Sequence, residues 1–327
     1  MKTLLKWIVS IVTCLLFAVS ALYVGTRGEY AVARLVTDDP SLPSEIVNGV
    51  QLHMRVVDGP QSAPTIIVLH GGPGGDFRSL QALETLSDQY RVVFYDQRGA
   101  GLSERVSADF LTLDGHLDEL GAVIDLVSPS QAPIVIGHSW GAMLAAAYIG
   151  RNPNDVQSAV LIEPGYLDAA GREAWEAESA TYMSGLGYGM MAITTGFRAQ
   201  HVSGPDAAAP DDFLIGHMVR TFANHPDNPY HCGNGYSAPN WRFGAQSSTT
   251  WRGASAATVD QIGSNTVAFK GPVLLIAGEC NNWLGPLQTL HISQFANADL
   301  AIIPDAGHDV VWDNADATLA TIRAFLD

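Results

Sequence analysis

Three short apolar runs, each closed by glycine or a polar loop, constrain this chain more than any other feature. They are Thr65 to Leu69 before His70-Gly71-Gly72, Arg91 to Tyr95 before Asp96, and Pro133 to Ile136 before Gly137. Runs that are apolar throughout, without alternation, fit strands buried on both faces, the condition of a parallel sheet covered by helices. Helix-compatible stretches separate them around Ser79 to Gln89 and Leu113 to Leu126, another follows at Gly141 to Gly150, and a fourth apolar run, Ala159 to Ile162, continues the rhythm. The alternation predicts an α/β fold with a mostly parallel central sheet and helices on both faces. With 327 residues, 47% of them hydrophobic, the chain is long enough to bury such a core.

From about Gly165 to Phe269 the rhythm gives way to Trp, Met, Tyr, Gly and Pro in irregular segments with weak helical periodicity. It resumes with Val273 to Ala277, Leu300 to Pro304 and a closing helix from about Asn314 to Phe325. The core is therefore expected in two parts, 37–164 and 270–327, with a cap inserted over 165–269. Ahead of the core, Ile46 to Val56 places Asn48-Gly49 between β-prone runs, the strongest short-range hairpin signal. Thr37 to Pro43 reads as an extended linker, because its prolines and the residues before them avoid helix.

Residues 1–36 stand apart as a membrane anchor or signal segment followed by linker. Trp7 to Val24 carries no charge and is about long enough to cross a bilayer as a helix. Either it is a cleaved signal peptide with Val19-Ser20-Ala21 as the small-residue site, or it stays as a single-pass anchor. Its length and the aromatic Trp7 and Tyr23 at its two ends favour the anchor. Lys2 and Lys6 before the span nearly balance Arg27 and Arg34 after it, and both readings export the rest. Beyond Cys14 in the apolar span, only Cys232 and Cys280 remain, as one disulfide or as two separate buried thiols. Seventeen Lys and Arg against 33 Asp and Glu give a net charge of -16, which repels phosphate backbones and excludes nucleic acid as a partner.

Gly137-His138-Ser139-Trp140-Gly141 matches G-x-S-x-G, the turn from strand to helix that holds a serine in a strained conformation and exposes its oxygen. Its place between a buried strand and an alanine-rich helix makes it more than a chance match. His70-Gly71-Gly72-Pro73-Gly74-Gly75 follows the first central strand, the position from which such a fold draws one oxyanion donor. The backbone N–H groups of Gly72 and Trp140 are the expected oxyanion hole. No G-x-x-x-x-G-K-[ST] or G-x-G-x-x-G is present, so phosphate cradling by that loop is a poor alternative.

Together with Asp96-Gln97-Arg98-Gly99-Ala100-Gly101-Leu102-Ser103, these motifs resemble the proline iminopeptidase branch of the α/β hydrolases. The resemblance covers about Glu45 to Glu163 and Val273 to the end, and implies the α/β-hydrolase fold with an inserted cap. The cap shows no match, and in that family it helps recognise the substrate's amino terminus, so the specific activity does not carry over.

In this fold the chain order is serine, acid, histidine. Pro304-Asp305-Ala306-Gly307-His308-Asp309 supplies the histidine, His308, in a loop after the last strand. His201, His217, His225, His231 and His291 read as surface or satisfied core residues, and His70 and His138 as structural hydrogen-bonding groups. The acid departs from the pattern. Where the resemblance expects Gly-x-x-Asp, the chain has Gly278-Glu279-Cys280-Asn281, a neutral amide that stabilises imidazolium poorly. Either the enzyme is weak or dead, or another carboxylate has taken over. Glu163, ending the strand after the nucleophile helix, is the expected acid, a placement found in some haloalkane dehalogenases, which resemble this fold. Glu279 is the alternative. Asp96, Asp305 and Asp309 read as loop caps.

The expected activity is hydrolysis of a small ester, amide or short peptide by Ser139, His308 and Glu163 through an acyl-enzyme, with no metal or cofactor. An aminopeptidase would need a cap carboxylate such as Glu173, Glu176 or Glu178 for the substrate amine. A non-catalytic binding protein that kept the fold is the third reading. Asn281 supports it, and the strained serine opposite a loop histidine opposes it.

Overall fold

The computed structural model describes residues 2–327. Helix α1 (Lys2–Gly25) is followed by the hairpin β1 (Ser44–Val47) and β2 (Val50–Val57), then by β3 (Thr65–Leu69), β4 (Arg91–Tyr95), α2 (Leu113–Val127), β5 (Ile134–His138), α3 (Trp140–Arg151) and β6 (Ser158–Ile162). Five helices intervene before the sheet resumes: α4 (Ala169–Tyr182), α5 (Gly185–Ala199), α6 (Ala209–Ala223), α7 (Ala245–Arg252) and α8 (Ala256–Asp260). The chain closes with β7 (Val273–Gly278), α9 (Gly285–His291), β8 (Ala298–Ile303), α10 (Val310–Asp313) and α11 (Ala315–Leu326).

The eight strands form one sheet in the order β1-β2-β4-β3-β5-β6-β7-β8. Every pair from β4 to β8 is parallel, and β2 runs antiparallel to both β1 and β4. Strands β3, β5 and β6 are buried along their whole length, as unbroken apolar runs require. Alternate side chains feed two cores: Ile67 and Leu69 join α2 and α3 on one face, and Ile66 and Val68 join Phe77 and Ile322 on the other. The hairpin turns as its Asn-Gly predicts, with Val47 facing Val50 and positive φ at Asn48 (50°) and Gly49 (79°).

Three expectations need correction. The helical stretch after the first central strand is a 3-10 helix, Phe77–Asp88. Its buried Phe77, Leu80, Leu83 and Leu86 recur every three residues, which lines them up when a turn takes three residues. The segment from 165 to 269 is more helical than expected, carrying α4 to α8, though 224–244 is irregular as its Gly and Pro suggest. Its periodicity was weak because α4 buries only Ser179 and α5 only Thr195 and Ala199, leaving their larger side chains at the surface or along a cavity. The linker is not extended either: the N–H groups of Asp38 and Asp39 both turn back to the Leu35 carbonyl. Leu35 and Val36 are buried, Val36 N–H bonds the Leu102 carbonyl at 2.9 Å, and Arg242 reaches the Ala33 carbonyl at 2.9 Å. The folded body therefore begins before residue 37. Cys232 and Cys280 are joined as a disulfide.

Candidate active site

Ser139 sits between the end of β5 and the first turn of α3, with φ 54° and ψ −117°. A non-glycine residue there costs about 1–3 kcal/mol and persists only when its surroundings hold it. They do: Ser139 N–H donates to the Ile162 carbonyl of β6 at 2.8 Å, and its carbonyl accepts from Ala142 and Met143 at 3.0 and 3.1 Å. Close packing of α3 on the sheet explains the second glycine of the motif, since a Cβ at Gly141 would run into the Leu69 carbonyl. Trp140 supplies the leading N–H of α3, one of the helix-end donors with no intrahelical acceptor.

The loop after β3 approaches the same point. Gly71 lies so close that a Cβ on it would stand 3.0 Å from Ser139 Cβ, and Gly72 has φ 132°, a conformation open to glycine alone. A buried network fixes this loop. His70 Nδ1 faces the Gly71 carbonyl at 2.8 Å and its Nε2 accepts from Gln97 N–H at 2.9 Å. The Gln97 amide donates to the His70 carbonyl and accepts from Trp140 Nε1 at 2.8 Å. Gln97 thus ties both expected oxyanion donors to one scaffold. Its neighbour Asp96 staples three segments, taking the N–H of Phe77 and Leu102 and facing His53 Nδ1 at 2.8 Å.

His308 follows β8 in a loop held by its own backbone: His138 Nε2 faces the His308 carbonyl at 2.9 Å, and His308 N–H donates to the Tyr230 carbonyl at 3.2 Å. The Tyr230 ring stacks on the imidazole, centroids 4.2 Å apart. His308 Nδ1 lies 3.4 Å from Glu163 Oε2. Glu163, fully buried at the end of β6, also accepts from Gly278 N–H (2.7 Å) and from the Asn281 amide (2.8 Å). The neutral residue at the expected acid position therefore faces a carboxylate instead of the histidine. Glu279 is exposed and accepts from Asp305 N–H at 3.3 Å.

Burial is the leading influence on both partners: it pushes the Glu163 carboxyl up and the His308 imidazole down. Hydrogen bonding decides how they share charge. Gly278 N–H and the Asn281 amide are donors, so a proton on Glu163 has no acceptor among its bonded neighbours other than His308 Nδ1. A neutral imidazole that donates its Nδ1 proton to an ionised Glu163 would keep Nε2 free to accept, whereas a protonated Glu163 donating to Nδ1 would place the ring proton on Nε2.

Ser139, Trp140, Gly72 and His308 all line one cavity of about 390 Å³, within the range of small-molecule sites. Its far wall comes from the helices between β6 and β7, including Arg172, Trp175, Glu176, Tyr188, Arg220 and Arg252. Sequence reasoning missed Tyr230, which no motif marks, and Gln97, whose role appears only once Trp140 and His70 converge on it. The disulfide joins Cys280, beside Asn281, to Cys232, two residues after Tyr230, and so fastens the loop behind Glu163 to the strap over His308. Closing a loop across a separation of 48 residues is worth about 4 kcal/mol in chain entropy.

An eight-stranded, mostly parallel sheet with helices on both faces and a strained turn at the end of its fifth strand is the architecture of the α/β hydrolases. The chain belongs to that family: the family model described as alpha/beta hydrolase fold matches residues 64–315. Part of the chain is similar to the proline iminopeptidase of Heyndrickxia coagulans, 35% identical over 119 residues, which are 36% of this chain and 41% of that protein. It is also similar to the bifunctional esterase/perhydrolase DCH of Acinetobacter calcoaceticus, 40% identical over 106 residues, 32% of this chain and 38% of the relative. These matches span only about two fifths of the curated relatives' length. Among solved structures, the fold is similar to a proline iminopeptidase of Mycobacterium smegmatis (TM-score 0.57, 22% identity, covering 87% of this chain and 97% of that one). It is similar as well to the enol-lactonase of Burkholderia xenovorans LB400 (TM-score 0.58, 19% identity, 87% and 99%).

Proposed function

We propose that this chain is a membrane-anchored serine hydrolase that cleaves small esters through an acyl-enzyme. The observation that carries the reading is the strained Ser139 beside a cavity that His308 also lines, with the second nitrogen of that imidazole facing the buried Glu163 carboxylate. Ser139 Oγ attacks the substrate carbonyl carbon while His308 Nε2 takes its proton. The N–H groups of Gly72 and Trp140 receive the negative oxygen of the tetrahedral intermediate. Collapse expels the alcohol, which leaves with the proton from Nε2, and water repeats the steps to release the acid. Helix α1, 24 residues with a mean hydropathy of 2.3 over its most apolar window, is the proposed anchor, and α4 to α8 form the proposed cap.

The charge around the cavity favours esters over substrates with a free amine. Of the three cap carboxylates an aminopeptidase could use, only Glu176 lines the cavity, and it pairs with Arg172 at 3.5 Å. Arg220 and Arg252 line the same wall. Asp76 and Asp309 line the cavity too; the Asp76 oxygens are taken by the N–H groups of Arg78, Trp241 and Arg242, and Asp309 lies next to His308 rather than on the arginine-bearing wall. An ammonium group entering this wall would meet more arginine than free carboxylate. A neutral p-nitrophenyl ester is therefore expected to be cleaved with higher kcat/KM than prolyl p-nitroanilide. A prolyl substrate turned over faster would return the amine-recognising reading.

The pH profile should carry the signature of a buried base. His308 must be neutral to accept the serine proton, and burial lowers its pKa to about 4 from the ordinary 6.5. The neutral form thus persists as pH falls, and kcat/KM should stay level through the usual histidine range of about 6 to 7 before declining in more acid buffer. Initial rates on a neutral ester between pH 4 and 8 read this directly. An acid limb at about 7 to 8 would instead report protonation of Glu163, whose carboxyl burial pushes up to about 8, or a solvated His308, and Glu163→Gln would tell the two apart.

A further inference from the structure

Helix α5 carries a surface that the proposed chemistry does not use. From Gly185 to Phe197 it contains no charged residue, in a chain of net charge -16. Leu186, Met190 and Ile193 are 85%, 49% and 49% exposed, and their spacing of four and then three residues puts them on one helical face. An apolar stripe of this kind on an acidic protein marks a surface meant to be covered.

The position of α5 identifies what covers it. Helix α1 packs against α5, and His201 Nε2, two residues beyond the end of α5, lies 2.8 Å from the Tyr23 carbonyl in the last turn of α1. The Tyr23 and His201 rings are 4.5 Å apart, and the Arg27 guanidinium lies 5.9 Å from the Tyr23 ring centroid. Aromatic and arginine side chains at the end of a span mark the level where it leaves the hydrocarbon. The point at which α1 emerges is thus fixed against the C-terminal end of α5, the helix that carries the stripe. The helix also borders the cavity, since Tyr188 lines it together with Met183 just ahead of α5.

We propose that α5 lies in the interface of the bilayer that holds α1, with Leu186, Met190 and Ile193 among the acyl chains. The cavity margin at Met183 and Tyr188 then faces the membrane surface and admits esters dissolved in lipid. The inference rests on α1 being a retained anchor, and the occupant of the stripe is lipid rather than a second protein. The affinity such a stripe gains grows with the apolar area it buries.

The test uses the full chain in phosphatidylcholine vesicles. In a Cys14→Ser background, nitroxides at Met190→Cys and Ile193→Cys should be relaxed by oxygen more than by a water-soluble nickel chelate. A nitroxide at Ile46→Cys, on the exposed first hairpin, should show the reverse. Separately, the combined Leu186→Ser, Met190→Ser, Ile193→Ser variant should hydrolyse a long-chain p-nitrophenyl ester dissolved in the vesicles about tenfold or more slowly, with the rate on a short soluble ester within about twofold. Labels open to the nickel chelate while the chain floats with the vesicles would overturn the inference and leave the anchor standing. Spin–spin broadening between copies at position 190 would show a second copy on the stripe and overturn it as well. A chain that fails to float removes the anchor and the docking together. The labels report even if no ester is cleaved, so failure of the hydrolase reading is a separate outcome.

Discussion

Ser139→Ala is expected to abolish ester hydrolysis, lowering kcat by about four orders of magnitude or more, with the folded structure intact. Ser139 is held by backbone bonds, N–H to Ile162 and carbonyl to Ala142 and Met143, none of which involves its hydroxyl. Alanine meets the same positive φ with the same Cβ, so the strain is unchanged and the melting temperature should move by no more than a few degrees. A fluorophosphonate probe should label the native protein and miss the variant. His308→Ala should be about as damaging, and the double variant little worse than either single one, because nucleophile and base act as a unit. A folded Ser139→Ala enzyme that kept most of its rate would end the serine reading. A native protein that ignores the probe would point to a binding protein on a hydrolase scaffold.

The sheet was legible because its chemistry is repetitive. Thr65–Leu69 and Arg91–Tyr95 coincide with β3 and β4 residue for residue, since an unbroken apolar run between polar stops has few other places to go. The strained turn at Ser139 and the glycine loop beside it were legible for a different reason: such a turn restricts which residues can surround it, and the restriction is local in sequence. The helices between β6 and β7 were harder to read. Helices α4 and α5 bury small residues and turn large apolar ones toward a cavity or outward, so the contrast between faces that marks a surface helix is missing. Residues 26–36 looked like linker because contact with the folded body is made by single groups, such as the Ala33 carbonyl under Arg242 and the Tyr30 ring beside Phe213. Tyr230 and Gln97 leave no local trace, because each matters through partners far away in the chain.

The neutral Asn281 raised the question of whether the site had lost its acid, and Glu163→Gln is the experiment that answers it. Glu163 stands among donors: Gly278 N–H on Oε1, and on Oε2 the Asn281 amide and the Nδ1 position of His308. Glutamine has the same shape but only one acceptor oxygen. If that oxygen faces Gly278, the new NH2 group confronts the Asn281 amide and can bond His308 only by donating to Nδ1. The imidazole proton then moves to Nε2, the nitrogen that must accept from Ser139, and the base is disabled without moving an atom of the backbone. The expected loss is about 10⁴-fold in kcat with KM little changed, as for a histidine held in the wrong tautomer. A buried donor left unpaired should also cost about 1–3 kcal/mol of stability, visible in denaturant midpoints. Asn281→Ala keeps the carboxylate and removes one of its donors, so about a tenfold loss is expected. Glu279→Gln, at an exposed residue that accepts one N–H from Asp305, should be near native. Nitrogen-15 shifts of His308 would show the tautomer directly, with Nδ1 protonated in the native protein and Nε2 in the glutamine variant. A near-native Glu163→Gln enzyme beside an inactive Glu279→Gln one would place the acid on the loop after β7 and reduce Glu163 to a packing residue.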